Sequence, residues 1–437
     1  MFTIVLVIIG TILTMLIGVP VAFAFALAGF FLCSFYGIGI IGAIGAAFDR
    51  VNMFAIMALP LYILLGSLLN QGGLAEKLID FVNVLLGKKK GGLGIVLIVT
   101  NAIFGAICGV ATSALAAIGG ILIPQMEKMG YPRGYSTGMA VSSSVLSLLI
   151  PPSTSMIIFG IAAKVSIPLL FAATVVPGII LTIILCVINN IMVKKIPTIR
   201  TLPVQKDRSE RRKDIFKSTK GAIYILFLPL LILGGIYGGV FTPTEAAAVA
   251  LVYALVISVF IYKQLNMNIL WDSIAKAGAL TGSVIVVFFF FFVLSRVLIL
   301  EQVPTALMDF LFRISKNTYV LLLLFNIILL ITGMIMDDAS GLILAAIIYL
   351  PAAQSLGINP IHFGAICGVN LGMGLITPPV APLLYMGGVV GGNLELREYF
   401  KPALYSILFG YIPVILLTTY IPAISMSLPR LVMALFR

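Results

Sequence analysis

Two adjacent carboxylates, Asp337 and Asp338, are the only charged residues between Tyr319 and Pro351, a run long enough to cross a bilayer. A carboxylate at that depth costs about 2.5 to 3.5 kcal/mol on insertion scales, so it needs a use. Two uses fit: coordination of an ion, directly or through the neighbouring backbone with Ser340 close by, or capping of a helix at its first turn. Hydroxyls also gather where glycine or proline interrupts the chain. Thr112 and Ser113 follow Gly109, Ser147 and Ser153 flank Pro151-Pro152, and Thr377 stands with Gly372 and Gly374 before Pro378-Pro379. Any one of them is as readily helix glue as ligand. Their coincidence with breaks in both halves of the chain points to joint action.

Other reactive side chains have plainer readings. Thr242, Pro243 and Glu245 spell a helix start: an N-cap, a proline at the first helical position and a capping-box glutamate. His362, the only histidine, follows Pro360 closely and is expected in a surface loop. Trp271 and the tyrosines read as interfacial anchors. Cys33, Cys108, Cys186 and Cys367 are scattered singly without metal-binding spacing and read as small buried hydrophobes.

The elements that hold these residues are membrane helices. Of 437 residues 61% are hydrophobic and 10% charged, with a mean hydropathy of +1.20. Apolar runs of roughly 20 residues recur throughout, each long enough to span about 30 Å of hydrocarbon as a helix. Runs such as Ile223 to Gly238 and Val284 to Leu294 are apolar on every face, which excludes a β-barrel. The fold class is therefore an all-α polytopic membrane protein, embedded in a lipid bilayer. The first segment lacks a basic n-region, so Met1 to Phe35 is expected to be one retained span. The net charge of +12 does not indicate nucleic acid, because residues 194–220 hold ten Lys or Arg against three acids and so supply +7 of it. A basic loop beside spans is the positive-inside signal and places that loop in the cytoplasm.

The same loop divides the chain into a first half (1–195), a basic linker (196–220) and a second half (221–437). Pro124 recurs as Pro351, Pro151-Pro152 as Pro378-Pro379, and Gly160 as Gly387, all at a spacing of 227. Leu78-Ile79-Asp80-Phe81 answers Leu307-Met308-Asp309-Phe310 at 229. An ordered series at one offset indicates duplication, which is typical of secondary transporters with a site between the repeats. The 32 uncharged residues from Leu93 to Pro124 are too long for one crossing and too short for two. We therefore expect a re-entrant hairpin at about 93–124 with its tip at Gly109 to Ser113, and a second at about 319–351 broken by Gly333 and by Asp337 to Gly341. Each is followed by a broken helix, at about 138–165 and 361–390, whose prolines free carbonyl oxygens for a cation. The half-helix beyond presents a positive end that suits an anion.

Other function classes find little support. An intramembrane enzyme needs a nucleophile with a base or a metal cluster, and one histidine with no HExxH or GxSxG offers neither. No cofactor motif is present, and no GxxxxGK[ST] loop exists for ATP. A channel or proton-translocating subunit is the main alternative, yet proton paths string together Lys, Glu or His, which are scarce in these spans.

In order along the chain, IGVPVAFAFALAG, MALPLYILLGSLLNQGGLAEKLIDF, FGAICGVATSALAAIGGILIP, LIPPSTSMIIFG, GVFTPTEAAAVALVYAL, GMIMDDASGLILAAIIYLP and LITPPVAPLLYMG together resemble the large membrane subunit of tripartite ATP-independent periplasmic (TRAP) transporters. The resemblance implies two inverted repeats in an elevator-type secondary transporter of the inner membrane, coupled to Na⁺ and importing small organic acids such as sialic acid or C4-dicarboxylates. It further implies two partners, a periplasmic substrate-binding protein and a separate small membrane subunit of four helices. Carried over by position, a first Na⁺ site would use Gly109, Ala111, Thr112, Ser113, Ser147, Ile150 and Ser153, and a second Gly333, Gly374, Thr377 and Val380. The substrate cavity would lie by Asp337, Asp338, Ser340, Pro151, Pro152, Pro378 and Pro379. The family often has paired serines at the first tip, where this chain reads Val110-Ala111-Thr112-Ser113.

Overall fold

The computed structural model describes residues 2–87, 89–200 and 208–435, among which there are helices and turns but no strand. Eight helices are long and apolar enough to cross a membrane, or nine if one bent pair is a single span. Helices are what such a sequence must form, because the bilayer offers no partner for a free N–H or C=O.

The first half opens with α1 (Phe2–Leu16) and α2 (Val21–Phe35), two helices where one span was expected. Gly18 takes a left-handed φ of 96°, and Pro20 stands at the N-cap of α2, so the chain turns between them. There follow α3 (Ile40–Val51), a 3₁₀ turn at Phe54–Met57, α4 (Ala58–Gln71) and α5 (Leu74–Leu86). The first hairpin descends as α6 (Gly92–Cys108) and returns as α7 (Ala111–Ala114), a π turn (Leu115–Gly119) and α8 (Gly120–Lys128). Pro124 does not close this arm, since the helix runs on through it to Lys128. The broken helix is α9 (Arg133–Ser144) with α10 (Leu146–Leu149), then α11 (Thr154–Ala163) after a bend of 44°. The long α12 (Ile167–Lys194) ends the half.

Residues 201–207 of the expected basic linker lie outside the described residues; its later part is already helical, as the start of α13 (Arg208–Tyr237). The second half continues with α14 (Pro243–Val256), α15 (Met267–Leu300), α16 (Val303–Ile314) and the second hairpin: α17 (Thr318–Ile335), α18 (Asp338–Leu344), a π turn (Ala345–Tyr349) and α19 (Leu350–Ser355). The second broken helix is α20 (Pro360–Gly374) with α21 (Pro382–Val390), and α22 (Leu396–Ser406), α23 (Ile412–Tyr420) and α24 (Pro422–Leu435) complete the chain.

Element boundaries repeat with the offset of the prolines. The return arms start at Ala111 and Asp338, a difference of 227, and end at Lys128 and Ser355, again 227. The broken helices start at Arg133 and Pro360 and finish at Ala163 and Val390, both 227 apart. Helices α5 and α16 begin 229 apart, and the ends of α4 and α15, at Gln71 and Leu300, keep that distance. The unbroken 34-residue α15 is thus the counterpart of three pieces, α3, the 3₁₀ turn and α4.

Helix α15 packs on α2, α3 and α4, with Phe25 and Phe291 meeting edge to face at 5.1 Å, and α13 packs on α5 and α14. The hairpins and broken helices pack on one another, on α12, α22, α23 and α24, and on α4, α5, α15 and α16. Helix α14 starts as its sequence predicts: Thr242 accepts from the Glu245 backbone N–H (3.3 Å), and Glu245 accepts from that of Thr242 (2.8 Å).

Candidate functional site

The first hairpin breaks at Gly109, whose left-handed φ of 65° ends α6, and at the extended Val110. A Cβ at Gly109 would lie 1.9 Å from the carbonyl oxygen of Pro152, so the tip touches the other break with bare backbone. The two breaks are stitched together, because the Gly109 carbonyl accepts both the backbone N–H (3.2 Å) and the hydroxyl (2.8 Å) of Thr154. Ala111 is buried at the first helical position after the break, Thr112 is exposed, and Ser113 is half-buried against Gly66 of α4. Ile150 is half-buried and extended, and Pro151, Pro152 and Ser153 are buried. Ser153 donates to the Leu148 carbonyl (2.5 Å) and Ser147 to that of Asn101 (3.1 Å). Each hydroxyl thus spends its proton on the backbone; the Ser147 oxygen keeps its lone pairs for a cation, whereas the Ser153 oxygen also accepts the Met156 N–H (3.3 Å) as the cap of α11 and keeps one.

The second hairpin differs in where it breaks. Helix α17 runs unbroken through Gly333, and the interruption falls at Met336 and Asp337, both extended. Gly333 serves close approach instead: a Cβ on Gly374 would come within 2.4 Å of the Gly333 Cα, so the backbones of α17 and α20 touch. The Met334 carbonyl accepts the N–H groups of Val380 (3.2 Å) and Ala381 (3.3 Å), tying hairpin to break as on the first side. Thr377 is half-buried and donates to Met373 (2.7 Å); Pro378 is half-buried and Pro379 exposed.

Asp337 occupies the N-cap position of α18 without a side-chain capping bond, and Asp338 is the first helical residue. The Asp337 carboxylate and the Ser340 hydroxyl lie close together at the start of α18, and the Asp337 Oδ1 and Ser340 Oγ are buried without a hydrogen bond of regular geometry. Asp338 accepts the Ser155 hydroxyl at 2.6 Å. Ser155 lies in the first turn of α11, so the half-helix of the first half rests on the hairpin of the second. The reverse contact also exists: α21 rests on α7 and its π turn, with Val390 beside Gly119. The expected residues therefore fall into two stitched tips, each covered by a half-helix from the opposite half.

Several polar residues escaped the sequence reading. Asn101 donates to Ser143 (2.8 Å), and Asn370 donates to Asn326 (3.0 Å), which also accepts Thr419 (3.1 Å). Ser143 and Asn370 stand 227 apart, so a search for polar residues at the proline offset finds the pair. His362 is not in a surface loop. It is 5% exposed within α20, with Nδ1 2.6 Å from the Ser425 hydroxyl, because α24 folds back over it.

Residues 8–424 match the family described as "Tripartite ATP-independent periplasmic transporter, DctM component". The chain belongs to this family. It is thus the large component of a TRAP transporter, a multi-pass protein of the inner membrane whose family works with a substrate-binding protein and a small membrane subunit. The C4-dicarboxylate TRAP transporter large permease protein of Pseudomonas aeruginosa is 35% identical over 385 residues, 88% of each chain. The sialic acid TRAP transporter large permease protein of Vibrio cholerae is 32% identical over 417 residues, 95% of each. The solved YdaH transporter of Alcanivorax borkumensis shares the fold at a TM-score of 0.50 and 16% identity, over 91% of this chain and 89% of that one.

Proposed function

We propose that this TRAP large component is the transport subunit of a Na⁺-coupled importer of small organic acids, working as two inverted repeats by an elevator movement. The observation that carries the reading is the pair of stitched tips, each closed by a carbonyl at the hairpin break and covered by a half-helix of the other half. Na⁺ at Gly109, Ala111, Thr112, Ser113, Ser147, Ile150 and Ser153, and at Gly333, Gly374, Thr377 and Val380, would draw each hairpin onto its broken helix. The bound charges, with the positive ends of α11 and α21, would favour a carboxylate between the tips, beside Asp338 and Ser340. Coupling then follows from differential affinity: substrate binds the Na⁺-ordered cavity better than the empty one, so the sodium gradient sets direction.

The relatives named for C4-dicarboxylates and for sialic acid resemble this chain to similar degrees, so both substrates stay within the proposal. The test is uptake of labelled sialic acid and of a C4-dicarboxylate into proteoliposomes holding this chain and its small subunit, with and without binding protein and an inward Na⁺ gradient. Uptake that requires both is expected. Uptake unchanged when K⁺ replaces Na⁺ would overturn the coupling.

A further inference from the structure

Between the second hairpin and the outer helices lies an apolar cavity of about 330 Å³, walled by α1, α2, α15 and α16 on one side and by α17, α18 and the π turn on the other. Its three hydroxyls have no proton left to donate to a polar ligand. Thr11 donates to the Val7 carbonyl (2.7 Å), Thr332 lies 2.9 Å from that of Ile328, and the Tyr349 hydroxyl is shared with Thr332 (3.2 Å). Every other lining side chain is apolar, which leaves water too few partners, and an apolar cavity of this kind takes an apolar guest. Two residues set the entrance. Ile8 on α1 is 38% exposed and Ile331 on α17 is 48% exposed, yet both line the cavity, so it is continuous with the outer apolar surface. That surface carries the exposed Leu13 and Ile327 on the same two helices.

We propose that this cavity is a lateral acyl-chain site, into which one hydrocarbon chain of a bilayer phospholipid enters past Ile8 and Ile331. An engineered cavity of about 150 Å³ holds benzene, and at the same space per carbon this one takes roughly a dozen carbons of an aliphatic chain. The headgroup stays outside, since the walls have no charge to meet it. Met336, next to Asp337, forms part of the inner wall. A chain lodged there fills the seam between the outer helices and the hairpin that carries the carboxylate pair, so the lipid becomes a packing element of that hairpin. This site stands whether or not the transport cycle above is right.

The test uses the full chain with its small subunit in nanodiscs of phosphatidylcholine bearing a diazirine near the end of one acyl chain. After irradiation, adducts are mapped by peptide mass spectrometry. Adducts with the mass of the whole phospholipid are expected on Phe291 and Thr332, which line the cavity and are too buried for bulk lipid to reach, as well as on Leu13 and Ile327 outside. Adducts confined to the outer residues would overturn the site. Ala28→Leu on α2 fills the cavity and should abolish the inner adducts while sparing the outer ones, and Ile12→Phe does the same from α1 should the first variant fold poorly. Inner adducts undiminished in a folded filling variant would equally sink the proposal.

Discussion

The hydroxyl of Ser155 donates to the Oδ2 of Asp338 at 2.6 Å across 183 residues of sequence. It joins the half-helix that follows one proline pair to the hairpin tip that precedes the other. A hydrogen bond to a charged acceptor is worth about 1.5 to 3 kcal/mol, more than a neutral one, because the full charge on the acceptor strengthens the attraction to the donor dipole.

Ser155→Ala should therefore lower Na⁺-driven uptake, and Asp338→Asn should do the same. The double variant should lose less than the sum of the two, because both remove one interaction. Uptake kinetics in proteoliposomes measure this, and full additivity would show that the two side chains act separately.

Gly374→Ala should destabilise the fold, by about 1 to 3 kcal/mol as overpacking usually does. Its Cβ would meet the Gly333 backbone at 2.4 Å, which cannot yield as a side-chain end can. Gly278→Ala, with nothing within 4 Å in the middle of α15, should be neutral or stabilising by up to about 1 kcal/mol. Thermal melts of the two variants in one detergent decide between them.

At the first tip, Gly109→Ala combines a left-handed backbone with a contact at 1.9 Å to the Pro152 oxygen, so the stitch to Thr154 should open. Half-maximal uptake should then need more Na⁺. Gly120→Ala on the same hairpin has open space and should leave the Na⁺ dependence unchanged. A Na⁺ titration of uptake separates the two, and an unmoved curve for Gly109→Ala would remove the first tip from the sodium site.

Thr242→Ala should cost about 1 kcal/mol through the lost helix cap and leave the Na⁺ dependence of uptake alone. A lowered melting temperature with an unshifted sodium curve is the expected result.

Much of this site was legible because the features that make it are backbone features. Proline pairs and glycines announce where a helix cannot continue, and their repetition at 227 placed both tips and both broken helices within a few residues. Where the reading failed, packing had overridden local signals. Gly333 looked like a breaker, yet the missing side chain serves contact with Gly374 while the helix continues. Pro124 looked like an end, yet the helix passes through it. His362 looked like a loop residue because Pro360 precedes it, but that proline opens a buried helix, as prolines at first helical positions do. The Ser155 to Asp338 contact was hidden for a different reason: a single hydroxyl carries no spacing signal, and only the fold brings it to its partner.

The jointed α3 and α4 opposite the unbroken α15 give the duplicated halves unequal stiffness. One copy has a girder, the other an arm with an elbow at Asn52 and the extended Met53, where α3 stops before the 3₁₀ turn that leads into α4. In the proposed exchange, the two facings related by the pseudo-two-fold axis of the repeats would have equal energy only if the halves were alike throughout. One girder and one elbow are such a difference, so under that proposal the arms contribute to which way the empty transporter faces.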